Sequence, residues 1–403
     1  MPVISGSLGT KGLCDYEPVE FVFYRQMMKN QHHLEIKSPD STLKILDLNL
    51  LYLHHLSSAL SESEDEEKSG DIYRLFYWDE ERETIESKVV SGVPNTLIQI
   101  YRTKKHEVPL HVLMSPISGS HSAASIFEKT IKPFLVSTDI QYLQCTLDSM
   151  SSMKRYIEET NFHEERPLFM LLSGDGVFHD LLNCYEAGEF DVCLIPCGTA
   201  NALASSVGIY SIRDGIRAFT VGVKRNLTPL CVTLYGSWQE TIKAGVVVSW
   251  GFHAQIVSQS ENLRDHVGIN RFKVIAHKLL GENNVYKGVV STDSKRLCDT
   301  KYLLISRVPR LETMFIPCPT AKLDGPFKVL HISSSGDVEQ KLREAYHGGI
   351  IESDGVSVIT TDKVTVEIQD KMDEVCIDGY IIKAQKIVVQ LDKVTIGILG
   401  FAS

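Results

Sequence analysis

Apolar residues are unevenly spaced along the chain, and the spacing divides it into three stretches. From about residue 106 to 225, short apolar runs alternate with segments in which apolar residues recur about every three to four positions. Leu110-His111-Val112-Leu113-Met114 is the first such run. Pro167-Leu168-Phe169-Met170-Leu171-Leu172 and Val192-Cys193-Leu194-Ile195 have the length and composition of buried strands. After the second run the chain turns through Ser173-Gly174-Asp175-Gly176, and Val177, Leu181 and Leu182 then fall on one helical face. The third run leads through Pro196-Cys197-Gly198-Thr199-Ala200-Asn201 into another helix. Strand, turn and helix in series predict an α/β layer structure.

Downstream of about residue 228 the helical spacing gives way to β-branched runs at 231–235, 246–248, 327–332 and 386–391. These predict a β-sandwich-rich half. Upstream, residues 72–78, 87–90 and 96–101 read as short strands, and 43–60 is largely apolar. The acidic tract Ser61-Glu62-Ser63-Glu64-Asp65-Glu66-Glu67-Lys68 reads as a solvated loop. The predicted organisation is a small N-terminal β-rich accessory module (1–105), an α/β nucleotide-binding domain (106–225) and a β-sandwich-rich domain (226–403).

Composition narrows the class. At 403 residues the chain has room for about two or three domains, each with its own core. A formal net charge of −10 and the lack of a basic stripe with interleaved aromatics argue against nucleic acid as a partner. The nine cysteines form no Cys-x-x-Cys pair, and an odd number without a secretory leader fits a reducing, cytoplasmic compartment. No apolar run reaches the roughly 20 residues that a membrane-spanning helix needs. His32-His33 and His54-His55 lack a coherent set of further ligands, so no zinc site is assigned.

The two strand–helix turns carry the chemistry. Asp175 is placed at the carboxyl end of a strand, beside a helix start. Backbone N–H groups there face a phosphate readily, and Gly174 and Gly176 let it approach without meeting a Cβ. Two such turns in series predict a nucleotide crevice. Gly-Asp-Gly alone is also an ordinary turn, so the pairing of the motifs carries the argument.

Together the motifs resemble the diacylglycerol-kinase catalytic superfamily, and within it the sphingosine (long-chain-base) and ceramide kinase branch. Ser173-Gly174-Asp175-Gly176-Val177-Phe178-His179-Asp180, with Asn183, stands where that branch has Ser-Gly-Asp-Gly-x-x-His-Glu followed by Asn-Gly. Pro196 through Ala204 matches Pro-x-Gly-Ser/Thr-x-Asn-Ala-Leu-Ala. Ser249-Trp250-Gly251-Phe252-His253-Ala254, followed by Ser260-Glu261, Arg264 and Arg271-Phe272, is similar to the branch's Ser-Trp-Gly region and its downstream basic residues. The resemblance runs from about His111 to the C-terminus.

It implies that the β-rich half binds lipid, and that the γ-phosphoryl group of ATP, with Mg²⁺ on the phosphates, passes to a hydroxyl of a sphingoid base or related lipid. The lipid would be met at a membrane surface by a peripherally associated protein. By the same resemblance Asp175 is the general base. Nucleotide contacts fall on Ser118, Gly119, Thr146, Gly174, Gly176, Gly198, Thr199 and Asn201, with Arg264 and Arg271 to pair with phosphate oxygens. Asp180 and Asp378 are assigned to the nucleotide or its metal. The plainer alternatives are a helix-dipole partner for Asp180 and a hairpin turn for Asp378. His179, one helical turn from Asp175, is either a packed residue or one that tunes it.

The chain also departs from the family. Its first loop, Ser115-Pro116-Ile117-Ser118-Gly119-Ser120-His121, lacks a glycine and the lysine common in Asn-Pro-x-x-Gly-x-Gly. Cys184 replaces the glycine after Asn183, and Tyr380 replaces the terminal Glu of Asp-Gly-Glu. Gln255 and Val257 stand where sphingosine kinases carry acids that pair with the sphingoid amine. Losing one charge-assisted hydrogen bond of ~1.5–3 kcal/mol weakens selection for a cationic lipid. Ceramide and diacylglycerol therefore stay open as acceptors, as does a degenerate kinase fold that binds lipid or a partner protein without turnover. NAD kinase shares the Gly-Asp-Gly turn, but Ser249-Trp250-Gly251 and its downstream arginines argue against it.

Overall fold

The computed structural model describes residues 20–26, 31–38, 41–46, 50–58, 71–91, 93, 97–99, 109–116, 122–160, 162, 166–186, 188–263, 270–369 and 372–401. The acidic tract 61–68, Ser118, Gly119 and Arg264 lie outside the described residues.

At the N-terminal end, β1 (Glu20–Gln26), β2 (Gln31–Ser38) and β3 (Ser41–Leu46) form one antiparallel sheet. A second consists of β4 (Leu50–Ser58), β5 (Asp71–Asp79) and β6 (Thr84–Ser91). Alternation along β5 turns Tyr73 and Leu75 into a core with Leu50, Leu53 and Val90. Of the strand predicted over 96–101, the described residues 97–99 are helical. Leu97 is buried in that same core, so packing overrides the β preference of its neighbours.

The apolar runs of the middle stretch become β7 (Leu110–Met114), β8 (Tyr142–Thr146), β9 (Leu168–Ser173) and β10 (Asp191–Pro196). Every residue of β7 and β9 is buried, the polar His111 and Ser173 included, in keeping with their largely apolar character. With β11 (Val223–Leu227) and the closing strand β23 (Ile396–Gly400) they form a six-stranded sheet in the order β11-β23-β10-β9-β7-β8. The pairs β7–β9, β9–β10 and β10–β23 are parallel.

Among the connecting helices, α1 (Ala123–Ile126) runs through a π-helical turn (Phe127–Ile131) into α2 (Lys132–Ser137). Then follow α3 (Met150–Glu159), α4 (Asp175–Cys184), α5 (Ala202–Ser206) and α6 (Ile212–Val221). Residues 125–142 and 211–223 group with the N-terminal segment into one compact unit, and 110–124, 143–210 and 224–403 form the other. Within the first unit Phe134 meets the rings of Tyr52 and Phe76 edge-on at 5.8 and 5.5 Å, and Val221 packs on the core around Leu53.

The β-branched runs belong to one 11-stranded antiparallel sheet. Its strands are β12 (Leu230–Tyr235), β13 (Gln239–Ala244), β14 (Val247–Gly251), β15 (Tyr286–Thr292), β16 (Arg296–Ser306), β17 (Phe327–Ser333), β18 (Val356–Thr361), β19 (Lys363–Ile368), β20 (Asp373–Ile377), β21 (Tyr380–Ala384) and β22 (Lys386–Leu391). Among the described residues, the helices α7 (Phe252–Ser260), α8 (Arg271–Glu282) and α9 (Val338–Tyr346) interrupt it. Val232, Trp250, Leu303, Val329, Val366 and Val389 share one core. A single curled sheet therefore takes the place of the two facing sheets expected of a sandwich, because strand twist lets one long sheet cover its own apolar face.

Candidate functional site

Parallel register brings three strand ends together. Met114 of β7 lies opposite Leu172 of β9, and Pro196 of β10 lies opposite Ser173. The Ser115 N–H donates to the Leu172 carbonyl (3.3 Å) and the Cys197 N–H to the Ser173 carbonyl (3.0 Å), so the next loops leave the sheet side by side. The carboxyl edge of parallel strands is where open α/β sheets take their ligands.

The turns after β9 and β10 pack backbone against backbone. A Cβ on Gly198 would stand 2.4 Å from the Gly174 Cα, and one on Gly174 would stand 3.1 Å from the Gly198 Cα. These two glycines first make room for each other, a different reason from the phosphate approach expected of Gly174. Gly176 is open: the nearest atom to an added Cβ is the Tyr380 hydroxyl at 3.9 Å. Asn201, in the left-handed region at φ 48°, accepts the Gly198 N–H at 3.1 Å and donates to the Gly198 carbonyl at 2.8 Å. Its side chain closes the loop, with Thr199 exposed within it.

Asp175 opens α4, whose N-cap Gly174 provides no side-chain cap. Its carboxylate accepts the N–H of Ala202 at 2.8 Å and of Leu203 at 3.0 Å, the first two residues of α5. An acid at a helix N-terminus satisfies amides that have no intrahelical acceptor. Burial raises the Asp175 pKa above the ordinary carboxylate value, and the two amide bonds oppose that rise.

One turn along α4, buried His179 joins its Nδ1 to Asp378 at 3.2 Å. Asp378 also accepts the N–H groups of Gly245 (2.7 Å), Val246 (2.9 Å) and Val247 (2.8 Å). The hairpin-turn alternative for Asp378 holds as far as position, at φ 49° between β20 and β21, but its side chain anchors the segment entering β14. Tyr380 stacks on His179 with ring centroids 4.6 Å apart and donates its hydroxyl to Asp180 at 2.7 Å. Burial is the first cause raising the Asp180 pKa, and burial, followed by the Asp180 bond and charge, raises that of Tyr380. Asn183 and the Lys243 backbone exchange two hydrogen bonds, at 3.0 and 2.8 Å, which tie α4 to β13. Cys184 is the last residue of α4, where burial pushes its thiol pKa up.

Thr146 ends β8 with an exposed side chain, and Arg271 lies over the Phe272 ring at 4.6 Å. Gln255 of α7 donates to Glu374 of β20 at 3.2 Å, and Trp250 of β14 donates to Asp373 of β20 at 3.0 Å. A cavity of about 340 Å³ opens nearby, lined by Phe252, Leu279, Tyr286, Lys301 and Asp337 among others. The sequence reading missed Ala202, Leu203, residues 245–247 and Glu374. The five backbone amides carry no side-chain signal, and Glu374 lies 119 residues from the Gln255 it meets.

Residues 109–233 match the model of the diacylglycerol kinase catalytic domain. The matched stretch holds both strand–turn–helix motifs, so this part of the chain is similar to that catalytic domain. Its sphingosine kinase relatives include sphingosine kinase 1 of Mus musculus, 26% identical over 230 residues that cover 51% of this chain and 58% of that protein. Sphingosine kinase 1 of Homo sapiens is 22% identical over 192 residues, 44% of this chain and 50% of that one. The chain spans about half the length of these curated relatives. Among solved structures, a putative diacylglycerol kinase from Bacillus anthracis str. Sterne superposes with a TM-score of 0.56 at 12% identity, covering 72% of this chain and 97% of that one. A second structure so described gives 0.54 at 14% identity, covering 72% and 96%. The fold of these structures is thus shared where little of the sequence is.

Proposed function

We propose that the protein is an ATP-dependent lipid kinase that phosphorylates a hydroxyl of a sphingoid long-chain base or related lipid. The observation that carries this reading is the convergence, at one sheet edge, of the Asp175 turn and the Gly198–Asn201 turn within the stretch that matches the kinase domain. The triphosphate lies along the loops after β9 and β10. The start of α4 offers it uncapped amides beside the open Gly176. ATP is a substrate here, and a divalent cation supplies charge neutralisation in such transfers.

Asp175 accepts the proton of the lipid hydroxyl as its oxygen bonds to the γ-phosphorus and the bond to ADP breaks. Each carboxylate oxygen has a lone pair beyond the one its amide uses. Burial raises proton affinity while the amides preserve the anion, which suits a base.

The acceptor is met at a membrane surface by a peripheral protein; among the described residues no helix is long and apolar enough to cross a membrane. The cavity between α7, α8 and the curled sheet joins apolar to polar walls and suits an amphipathic molecule. Glu374 beside Gln255 restores a carboxylate next to the position where sphingosine kinases carry an acid, which favours a cationic head group. A non-catalytic binder on the same fold is the second reading, favoured by Tyr380 in place of a Glu.

Radiolabelled ATP with sphinganine, ceramide and diacylglycerol in mixed micelles tests the proposal. Sphinganine phosphate formed by the wild type, with preference over ceramide reduced in Glu374→Gln, supports it. A folded protein that labels no lipid overturns it in favour of the binder.

A further inference from the structure

Asp180 and Asp378 are the acids assigned to a divalent cation, and the protein's own donors already engage both, as they engage the neighbouring base Asp175. Asp175 accepts two amides, and Asp378 accepts three as well as pairing with His179. Asp180 accepts the Tyr380 hydroxyl. Mg²⁺ requires a near-octahedral oxygen shell and takes one or two carboxylates from a protein. Rotating Asp378 toward a cation would strand three buried amides, which the β-sheet holds in place through the Asp378 N–H to the Val247 carbonyl at 2.9 Å. Among the described residues no group of three or more His, Cys, Asp or Glu side chains is arranged to hold a metal. The side chains present do not fit a protein-held Mg²⁺.

Two departures from the family meet at this point. Position 180 carries an acid one methylene shorter than Glu, and position 380 carries a side chain longer than Glu. Their ends lie 2.7 Å apart although 200 residues separate them in the chain. Two carboxylates in those places would repel unless a cation lay between them. A phenol and a carboxylate need none: the hydroxyl supplies the proton that bridges the pair.

We propose that this chain retains no divalent cation of its own, and that the Tyr380–Asp180 hydrogen bond replaces one, fastening α4 to the turn between β20 and β21. Any metal in the reaction then arrives on the nucleotide and leaves with it. Tyr380 is a positioning residue: it acts through Asp180 and His179. The inference deepens the kinase reading, but its test needs no turnover.

The test is Mn²⁺ alone, followed by electron paramagnetic resonance on the full chain as wild type, Tyr380→Glu and Asp180→Asn. Tyr380→Glu should bind Mn²⁺ about tenfold more tightly than wild type, because it restores a pair of facing acids. Asp180→Asn in the otherwise wild-type chain should leave Mn²⁺ binding unchanged, an arm that remains decisive if Tyr380→Glu fails to fold. Wild type binding as tightly as Tyr380→Glu, or a loss of binding in Asp180→Asn, overturns the proposal. If no lipid is labelled while both Mn²⁺ expectations are met, the kinase reading fails and this one stands.

Discussion

Asp175 holds the backbone N–H of Leu203 at 3.0 Å, and so the acid of the first motif builds the helix start of the second. With Ala202 on its other oxygen, the carboxylate has no orientation to spare. The side chain assigned to proton transfer is thus also a tie between two turns, and structural and chemical effects of changing it must be separated.

Asp175→Asn should abolish lipid labelling and also destabilise the fold. The amide keeps one acceptor oxygen but turns an NH₂ toward an N–H, leaving a buried donor unpaired at a cost of about 1–3 kcal/mol. Urea unfolding alongside the labelling assay checks both effects. A variant as stable as wild type would show that the two amide bonds carry no weight.

Gly198→Ala should destabilise by about 1–3 kcal/mol, since overpacking forces a backbone shift. Its Cβ would fall 2.4 Å from the Gly174 Cα, a backbone atom that cannot swing aside. Gly176→Ala, with 3.9 Å to its nearest neighbour, should cost far less in stability. Thermal melts of the two variants side by side measure the contrast.

Asp378→Asn should cost about 1–3 kcal/mol for each amide left without an acceptor. The loss should appear first as faster hydrogen exchange at Val246 and Val247, whose N–H groups share the Asp378 Oδ1. Exchange rates unchanged at those two residues would contradict the anchoring role.

Stability should fall as pH drops from about 6.5 toward 4. Burial holds the His331 pKa down to about 4, and its Nε2 is buried without a hydrogen-bond partner among the described residues. The unfolded chain, with an ordinary His pKa near 6.5, takes up a proton that the folded state refuses, so the penalty is absent above about 6.5 and complete below about 4. The shift corresponds to at most about 3 kcal/mol. His331→Leu should flatten the stability profile between pH 5 and pH 6.5 without removing its slope, because burial lowers the pKa of His253 in the same direction. Urea midpoints across that range give the slope.

Much of the α/β half is legible in the sequence. The largely apolar runs at 110–114 and 168–172 lie within buried strands, and the Gly-Asp-Gly turn falls where a strand passes into a helix. Periodicity and turn residues report on neighbours a few positions away, which suffices for such elements. The run at 396–400 is just as apolar, yet its pairing with β10 lies beyond local pattern. Likewise β-branched runs announce strands without saying whether one sheet or two will enclose the core.

By itself the sequence determined which residues punctuate the strands, which acids enter the turns and where the chain departs from the kinase motifs it resembles. The tertiary structure decided what those acids do: Asp175 caps α5, Asp378 gathers the amides of 245–247, and Asp180 receives the Tyr380 hydroxyl. The reason is that a carboxylate's role depends on the donors within about 3 Å of it, and long-range folding brings those donors there from distant parts of the chain.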